Sequence, residues 1–161
     1  MESMSCPAKY RLVHERKRWR VHRYHGWVAK PALPGKGEQY DLLKWECAIP
    51  GEPGTCWEKG MYPVTLVFPS EYPDSPPQCY FPEGFFHPNV DPSSGRVYPN
   101  IVKEGHWKSE LTIKHILVEL RRLLSRPDVN DRSHRVAWTL YTNSRYEYER
   151  RVSAQAYRYT E

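Results

Sequence analysis

Residues 40–81 read YDLLKWECAIPGEPGTCWEKGMYPVTLVFPSEYPDSPPQCYF. This stretch contains three short runs rich in apolar residues, at 40–49, 62–68 and 78–81, and turns with Pro and Gly separate them. A fourth run, at 27–29, precedes them. Runs of this length with hairpin-sized connections are typical of antiparallel strands. The sequence therefore predicts a four-stranded antiparallel meander.

Helical patterns flank this meander. Residues 8–21 place Leu12 and Trp19 seven positions apart on one apolar face, opposite a basic face, which predicts a first helix. A long helix is predicted after Thr112, which fits its N-cap, and Arg126-Pro127 ends it. Its apolar residues follow helical spacing: Ile113, Ile116, Leu117, Leu120 and Leu124.

Two shorter patterns predict further helices at 135–141 and from Ser144 onward. The order is then one helix, four strands, a long loop and three helices. This order indicates an α+β domain with helices on one face and at the ends of one sheet.

The amino-acid composition indicates which classes of protein this chain can belong to. The 161 residues are 39% hydrophobic and 27% charged, which is typical of one globular domain spanning 1–161. No apolar run approaches the roughly 18 residues that cross a bilayer, and the first residues lack a signal-peptide pattern. We therefore expect neither a secreted nor a membrane-spanning protein.

The four cysteines, Cys6, Cys47, Cys56 and Cys79, show no spacing typical of a zinc or redox site. We expect reduced thiols and no structural metal.

The basic residues are concentrated near the N-terminus. Lys and Arg number 24 against 19 Asp and Glu, a net charge of +5. Between positions 11 and 23 the only acidic residue is Glu15, and the basic ones are Arg11, Arg16, Lys17, Arg18, Arg20 and Arg23. This segment is either a solvated helix face or a surface for an acidic partner. A nucleic-acid reader is disfavoured, because no aromatic residues alternate with these arginines in a stacking pattern.

The stretch 81–109 contains Pro82, Pro88, Pro92 and Pro99 and has no clear period, so we expect a long loop. Long loops inside compact domains are commonly functional. This one contains Phe86-His87-Pro88-Asn89-Val90, and Trp107 follows.

This motif and others along nearly the whole chain resemble those of the ubiquitin-conjugating-enzyme (UBC) family, and within it the branch of SUMO-conjugating enzymes. The other motifs are Glu15-Arg16-Lys17 with Trp19-Arg20, Trp45-Glu46-Cys47-Ala48-Ile49-Pro50-Gly51, Glu71-Tyr72-Pro73 with Ser75-Pro76-Pro77, Thr112-Ile113-Lys114, Glu147-Tyr148-Glu149, Arg151-Val152 and Ala154-Gln155-Ala156. The basic first helix and the stretch 45–51 favour the SUMO branch.

The resemblance implies the UBC fold, no cofactor, and a nuclear and cytoplasmic, intracellular location. It implies as partners SUMO or another ubiquitin-like protein, together with the SUMO-activating enzyme, a ligase or an active conjugating enzyme, and no membrane. In the family a cysteine past the His-Pro-Asn motif accepts the ubiquitin-like C-terminus as a thioester, and a lysine amine then attacks it.

At that place the family reads Val-Cys-Leu-Ser-Ile-Leu, and this chain reads Val97-Tyr98-Pro99-Asn100-Ile101-Val102. The resemblance therefore puts Tyr98 at the nucleophile position. A phenol with a pKa near 10 is far less ionised at neutral pH than a thiol with a pKa near 8.5. Pro99 also removes a backbone donor and biases Tyr98 toward extended geometry. We expect Tyr98 to be a packed loop aromatic and none of the four cysteines to replace the nucleophile.

Two other residues match supporting positions of the family. Asn89 matches the asparagine that donates to the oxyanion, although it can equally structure the loop. Asp131 matches the aspartate that orients the incoming lysine, although it can equally cap the next helix. In the acceptor groove Gln78 and Tyr80 replace lysines and Asp91 replaces a tyrosine, which is expected to repel an acidic acceptor motif.

The first helix retains more of the family pattern. Arg16, Lys17 and Arg20 match positions where SUMO-conjugating enzymes hold SUMO noncovalently and meet the activating enzyme, and Arg23 falls at a family His. A 3.6-residue period puts Arg16, Arg20 and Arg23 on one face, suited to carboxylates of an acidic partner.

The sequence thus predicts a SUMO-conjugating-enzyme-like pseudoenzyme that binds SUMO noncovalently or regulates its conjugation. The alternative is an active SUMO-conjugating enzyme whose cysteine was replaced by Tyr98 for crystallisation. One such replacement would leave Pro99, Asn100, Gln78 and Asp91 unexplained.

Overall fold

A computed structural model describes residues 6–33 and 41–160. Its strands form one antiparallel sheet in the order β1-β2-β3-β4-β5. The strands are β1 (Val28–Ala32), β2 (Asp41–Pro50), β3 (Met61–Val67), β4 (Gln78–Tyr80) and β5 (Arg96–Val97). The helices are α1 (Pro7–His22), α2 (Ile113–Ser125), α3 (Arg135–Asn143) and α4 (Arg145–Arg158), with a 3-10 turn at Asn100–Val102.

The predicted meander is confirmed, but the sheet has a fifth strand. β5 lies within the long loop and pairs with β4, placing Cys79 opposite Val97 and Tyr80 opposite Arg96. Gly95 precedes β5 at a φ of 82°, and a Cβ there would lie 1.9 Å from the carbonyl oxygen of Phe81. Only glycine allows this approach. A two-residue strand carries no periodicity, so the sequence pattern missed it.

The strand boundaries shift by a few residues from the sequence prediction. β1 begins at Val28 and continues through Pro31, which an edge strand tolerates because an edge residue need not donate to a ladder. The sequence also predicts a turn at Pro34-Gly35 between the first two strands. This turn and the predicted start of β2 at Tyr40 lie outside the described residues.

The core lies between the sheet and α2. Side chains alternate along β2, where Trp45, Cys47 and Ile49 are buried while Lys44 and Glu46 face solvent. The apolar stripe predicted for α2 is wholly buried. Burial of such a stripe is the main term that stabilises a helix in a protein.

The ends of α2 are those that the sequence predicts. The Thr112 hydroxyl accepts from the His115 amide at 3.4 Å, and the Thr112 amide donates to His115 Nδ1 at 3.0 Å. This reciprocal capping satisfies backbone donors at the helix start. The helix ends at Ser125, before Arg126-Pro127.

α1 docks through a buried carboxylate as well as its apolar face. Leu12 and Trp19 are buried as predicted, and so is Glu15. Glu15 accepts from the Ile113 amide at 2.8 Å, from Arg11 Nε at 3.0 Å and from the Tyr72 hydroxyl. These contacts connect α1 to the first turn of α2.

None of the helices in the described ranges is both long and apolar enough to cross a membrane.

Candidate functional site

The long loop is anchored to the core by a buried histidine. His87 Nδ1 accepts from the Asn89 amide at 3.0 Å, so Nε2 carries the proton and donates to the Leu123 carbonyl at 2.9 Å. Burial lowers the pKa of His87 to about 4. The imidazole is therefore neutral at physiological pH, and it connects the loop to the C-terminal half of α2.

Asn89 connects the same loop to the turn that precedes α3. Its Nδ2 donates to the carbonyls of Asp128 and Asp131, both at 2.8 Å, and its Oδ1 accepts from the Asp128 amide at 2.8 Å. The side chain is buried. Both amide protons are used inside the protein, so this arrangement leaves neither for an oxyanion. The geometry is that of a loop-structuring asparagine.

Asp131 does not cap α3, contrary to one of the two roles considered for it. Its carboxylate accepts from the Ser133 amide at 3.0 Å and the Ser133 hydroxyl at 2.5 Å, which forms a local turn. The N-cap is His134, whose Nδ1 accepts from the Ala137 amide at 3.2 Å. Ser133 is two residues after Asp131, which is the spacing of an Asx turn, so its amide and hydroxyl occupy the Asp131 carboxylate.

Tyr98 follows β5 directly, and the residue is 47% exposed. The guanidinium carbon of Arg96 lies 4.4 Å from the centroid of the Tyr98 ring and 5.6 Å from that of Tyr80. Tyr98 is thus a loop aromatic packed through a cation–π contact, with the rest of its ring in solvent. The buried Pro99 then leads into the 3-10 turn.

The groove residues of the sequence analysis lie around this contact. The Tyr80 hydroxyl donates to Gln78 Oε1 at 2.8 Å. The Asp91 carboxylate accepts from the Ser93 amide and hydroxyl at 2.9 and 2.8 Å, and these bonds lower its pKa. Sequence reasoning missed Arg96. Its i, i+2 spacing from Tyr98 along an extended chain was the available signal, because such residues share a face.

The four cysteine thiols lie outside the long loop. Cys47 and Cys79 are buried in β2 and β4, where burial raises the pKa of Cys79 to about 12 and the pKa of Cys47 further. Cys56 is partly buried in a turn, and burial raises its pKa too. Cys6 is the N-cap of α1. All four are free, and the long loop contains none of them.

The basic residues of α1 do not all share the predicted face. Lys17 and Arg20 are exposed on the helix and Arg16 is partly buried. Arg23 lies beyond the last helical residue, His22, with extended backbone at φ −66° and ψ 153°. The helical period therefore relates Arg16 to Arg20 but not to Arg23. The chain turns here toward Gly26, whose φ is 87°.

Within residues 6–33 and 41–160, no group of three or more His, Cys, Asp or Glu side chains is placed to hold a metal ion.

A family described as "Ubiquitin-conjugating enzyme" matches residues 11–156. The chain belongs to the ubiquitin-conjugating enzyme family. The UBC fold predicted from the sequence is confirmed by a solved structure named "Novel Ubiquitin-Conjugating Enzyme", with a TM-score of 0.80 and 27% identity over 93% of this chain and 95% of the other.

Two curated relatives point to one branch of the UBC family. The SUMO-conjugating enzyme SCE1 of Arabidopsis thaliana is 43% identical over 94% of both chains. The SUMO-conjugating enzyme UBC9 of Caenorhabditis elegans is 40% identical over 97% of this chain and 93% of its own. This protein is therefore a homologue of SUMO-conjugating enzymes and a SUMO E2-like member of the UBC family.

Within this UBC fold, the structure brings Asn89 and Asp131 together through the bond from Asn89 to the Asp131 carbonyl. It places Tyr98 after β5, next to Arg96. The basic residues of α1 belong to a separate element. The loop of the sequence motif and the basic helix are thus separate elements of the UBC domain.

Proposed function

We propose that this UBC-family protein acts in the SUMO pathway as a noncovalent binder of SUMO, or as a regulator of SUMO conjugation, without forming a thioester. The observation that carries the proposal is the residue after β5. The resemblance puts the nucleophile there, and this chain has Tyr98 with no cysteine anywhere in the long loop. Without a thiolate the transfer reaction lacks both its acceptor and its leaving group.

The side-chain amide of Asn89, whose two N–H groups are both already hydrogen-bonded, supports the same proposal. A donor that stabilises an oxyanion must point an N–H group at the reacting oxygen. Both Nδ2 protons of Asn89 are instead directed at backbone carbonyls 2.8 Å away. Using either for catalysis would leave a partly buried carbonyl without its bond, at a cost of about 1 kcal/mol or more.

The surface proposed to bind SUMO is α1 with the neighbouring sheet. Lys17 and Arg20 are exposed, Arg16 lies one turn from Arg20, and Arg23 follows the helix end. Clustered guanidinium groups suit the carboxylates of an acidic ubiquitin-like protein. The proposed partners are SUMO or another ubiquitin-like protein and, beyond it, the activating enzyme, a ligase or an active conjugating enzyme. The proposed location is nuclear and cytoplasmic, which microscopy of the tagged chain tests.

A charging assay tests the absence of thioester chemistry. The chain is incubated with SUMO, its activating enzyme and ATP, beside an active SUMO-conjugating enzyme as control. The control should form an adduct that hydroxylamine removes, and this chain should form none. An adduct that hydroxylamine removes and that disappears when a cysteine is replaced would contradict the proposal.

Calorimetry with SUMO tests the binding surface. Arg20→Glu should weaken binding, because it reverses one charge of the contact. Arg20 is exposed, so the loss expected is about 1 kcal/mol, near fivefold in Kd, and it should shrink as salt is raised. Lys59→Glu reverses an exposed charge outside α1 and is the matched control. Equal affinity of the wild-type chain and Arg20→Glu would remove the support for this surface.

A further inference from the structure

A cavity of about 330 Å³ lies between α1 and the first turn of α2. Its α1 side is formed by positions 15, 18, 19 and 22, and this i, i+3, i+4, i+7 spacing puts them on one face of the helix. Its other side is formed by positions 110 and 112–115. At 3.6 residues per turn, Arg20 lies roughly 160° round the helix from Arg18. The cavity is therefore on a different face of α1 from the surface proposed to bind SUMO.

Trp19 brings an unused hydrogen-bond donor to this cavity. The residue is 8% exposed, and its indole N–H donates to no group within 6–33 and 41–160. This nitrogen is not among the fully enclosed atoms, so it reaches the cavity that the ring lines. The indole N–H groups of Trp45 and Trp107, in contrast, donate to backbone carbonyls at 2.9 and 2.7 Å. Because the N–H of a mostly buried Trp usually has a partner, this one fits an acceptor atom of a ligand.

Two cationic side chains lie in the same wall. Arg18 is exposed and makes neither an ion pair nor a side-chain hydrogen bond in the described part of the chain. Lys114 is held in place, because its ammonium donates to the His22 carbonyl at 3.1 Å and lies 3.9 Å from the centroid of the Tyr24 ring. An ammonium has three N–H donors, so two of them remain for a ligand.

The start of α2 adds a further donor. His115 Nδ1 accepts from the Thr112 amide at 3.0 Å, so the neutral imidazole carries its proton on Nε2. His115 is exposed, and the described residues supply no acceptor for that N–H. The positive end of the helix dipole lies at this same turn. Donors thus converge on the cavity from both helices.

The carboxylates of the wall do not cancel this positive charge. Glu15 is buried, and Arg11 is its counter-ion at 3.0 Å. Glu110 is the other lining carboxylate; it is exposed and makes no ion pair in the ranges that the structure describes. Arg18 and Lys114 are therefore opposed by Glu110 alone.

We propose that this cavity binds the phosphate monoester of a small aromatic compound. The aromatic ring packs against Trp19 and the buried Ile113, and the phosphate oxygens accept from the Trp19 N–H, Arg18 and Lys114. A phosphate has three acceptor oxygens and a charge of about −1.5 to −2 at pH 7, so it uses donors from two helices better than a carboxylate with two oxygens. The cavity volume is within the roughly 300–1,000 Å³ of ligand sites.

NMR titration of the isotope-labelled full chain with phenyl phosphate tests the proposal through the indole N–H signals. The Trp19 signal, identified by its loss in Trp19→Phe, should shift, and the signals of the bonded Trp45 and Trp107 should stay in place. Inorganic phosphate should bind more weakly, because it lacks the ring. Phenol should not shift the Trp19 signal, because it lacks the phosphate.

Charge variants give opposite expectations on the two sides of the cavity. Arg18→Gln should raise the Kd for phenyl phosphate about tenfold, because it removes a charge-assisted contact. Glu110→Gln should lower the Kd, because it removes the carboxylate that repels the phosphate, and a gain in affinity does not result from misfolding. Arg20→Gln removes an exposed arginine from the far side of α1 and is the matched control, with no change expected.

Three outcomes would overturn the proposal. The first is a Trp19 signal that phenyl phosphate leaves unshifted. The second is an equal loss of affinity in Arg18→Gln and Arg20→Gln, which would show a diffuse charge effect. The third is a phosphotyrosine peptide that binds more tightly than phenyl phosphate, because the ligand would then be a protein segment. Circular dichroism should show that every variant is folded. SUMO binding is tested at Arg20 and this cavity at Arg18, so either proposal can fail without the other.

Discussion

At the scale of single residues, the polar side chains of the long loop that contains His87 and Asn89 make structural hydrogen bonds. His87 and Asn89 are both buried, and each connects the loop to another element through its side chain. Tyr98 lies over Arg96. These residues share one region, but the only charged group in this set of contacts is the guanidinium.

Tyr98→Cys tests whether the missing thiol is the only obstacle to conjugation. The nearby Arg96 should lower the pKa of the introduced thiol, so it should react with iodoacetamide faster than the buried thiols of the unaltered chain. Transfer of SUMO to a lysine acceptor should nevertheless stay far below that of an active SUMO-conjugating enzyme, because Pro99 remains and Asn89 is committed. Gel assays with activating enzyme and ATP measure it. Transfer at a normal rate would instead favour an active enzyme altered at one position.

Asn89→Ala should destabilise the protein by about 3 kcal/mol, since three hydrogen bonds of a buried side chain are lost. Urea unfolding measures the change. Asn130→Ala is the matched control, because Asn130 lies in the same turn, is exposed, and uses only its backbone amide in the bond to Asp128. A loss for Asn89→Ala no larger than for the control would show that the bonded network contributes little.

At the scale of elements, the contact of α1 with α2 depends on polar groups that helical periodicity does not identify. Arg11 donates to the carbonyls of Ser109 and Leu111, both at 2.8 Å, and its Nε bonds to Glu15. Glu15 in turn accepts from the first amide of α2. Burial and the adjacent Glu15 carboxylate raise the pKa of Tyr72, so its hydroxyl stays protonated and donates. The charge run counted in the sequence thus contains one residue pair, the buried Glu15 and the partly buried Arg11, that joins α1 to the start of α2.

Glu15→Ala should lower the free energy of unfolding by about 3–5 kcal/mol, because it leaves the Ile113 amide, the Tyr72 hydroxyl and the Arg11 guanidinium without their common acceptor. Glu147→Ala should have little effect. Glu147 pairs with both Arg150 and Arg151, but these two ion pairs face solvent. Chemical denaturation of the two variants compares a buried and an exposed carboxylate. Similar losses in both would contradict this account.

At the scale of the whole molecule, the fold should lose stability in mild acid. Burial lowers the pKa of His87 from the ordinary 6.5 to about 4. Between these two values the unfolded chain binds a proton that the native chain does not, so the free energy of unfolding falls as pH falls through this window, by up to about 3 kcal/mol. A proton on Nδ1 would also break the bond from the Asn89 amide.

NMR titration of the His87 ring and urea unfolding at several pH values check this expectation. The native ring should stay neutral from pH 6.5 down to near 4. A His87 ring that titrates near its ordinary pKa would show that the loop opens around it.

The sequence by itself determined what is periodic or local. The strand runs at 40–49 and 62–68, the apolar stripe of α2 and the cap at Thr112 all depend on residues close together along the chain, and the structure has them close to where the sequence predicts. The family motifs are also local strings, and they determined membership in the UBC family and its SUMO branch. The Tyr at position 98 is a fact of the sequence alone.

Only the tertiary structure decided which partners distant residues have. Asn89 meets Asp128 39 residues away, and Glu15 meets Ile113 98 residues away, so no window of sequence contains both ends of either bond. The same holds for Tyr80 and Arg96, which a two-residue strand places side by side. The structure also decided that His134 rather than Asp131 caps α3, because the Asp131 carboxylate is bonded to Ser133. Alternative caps differ in free energy by about 1 kcal/mol, and the packing around them, which residue spacing does not show, determines which one forms.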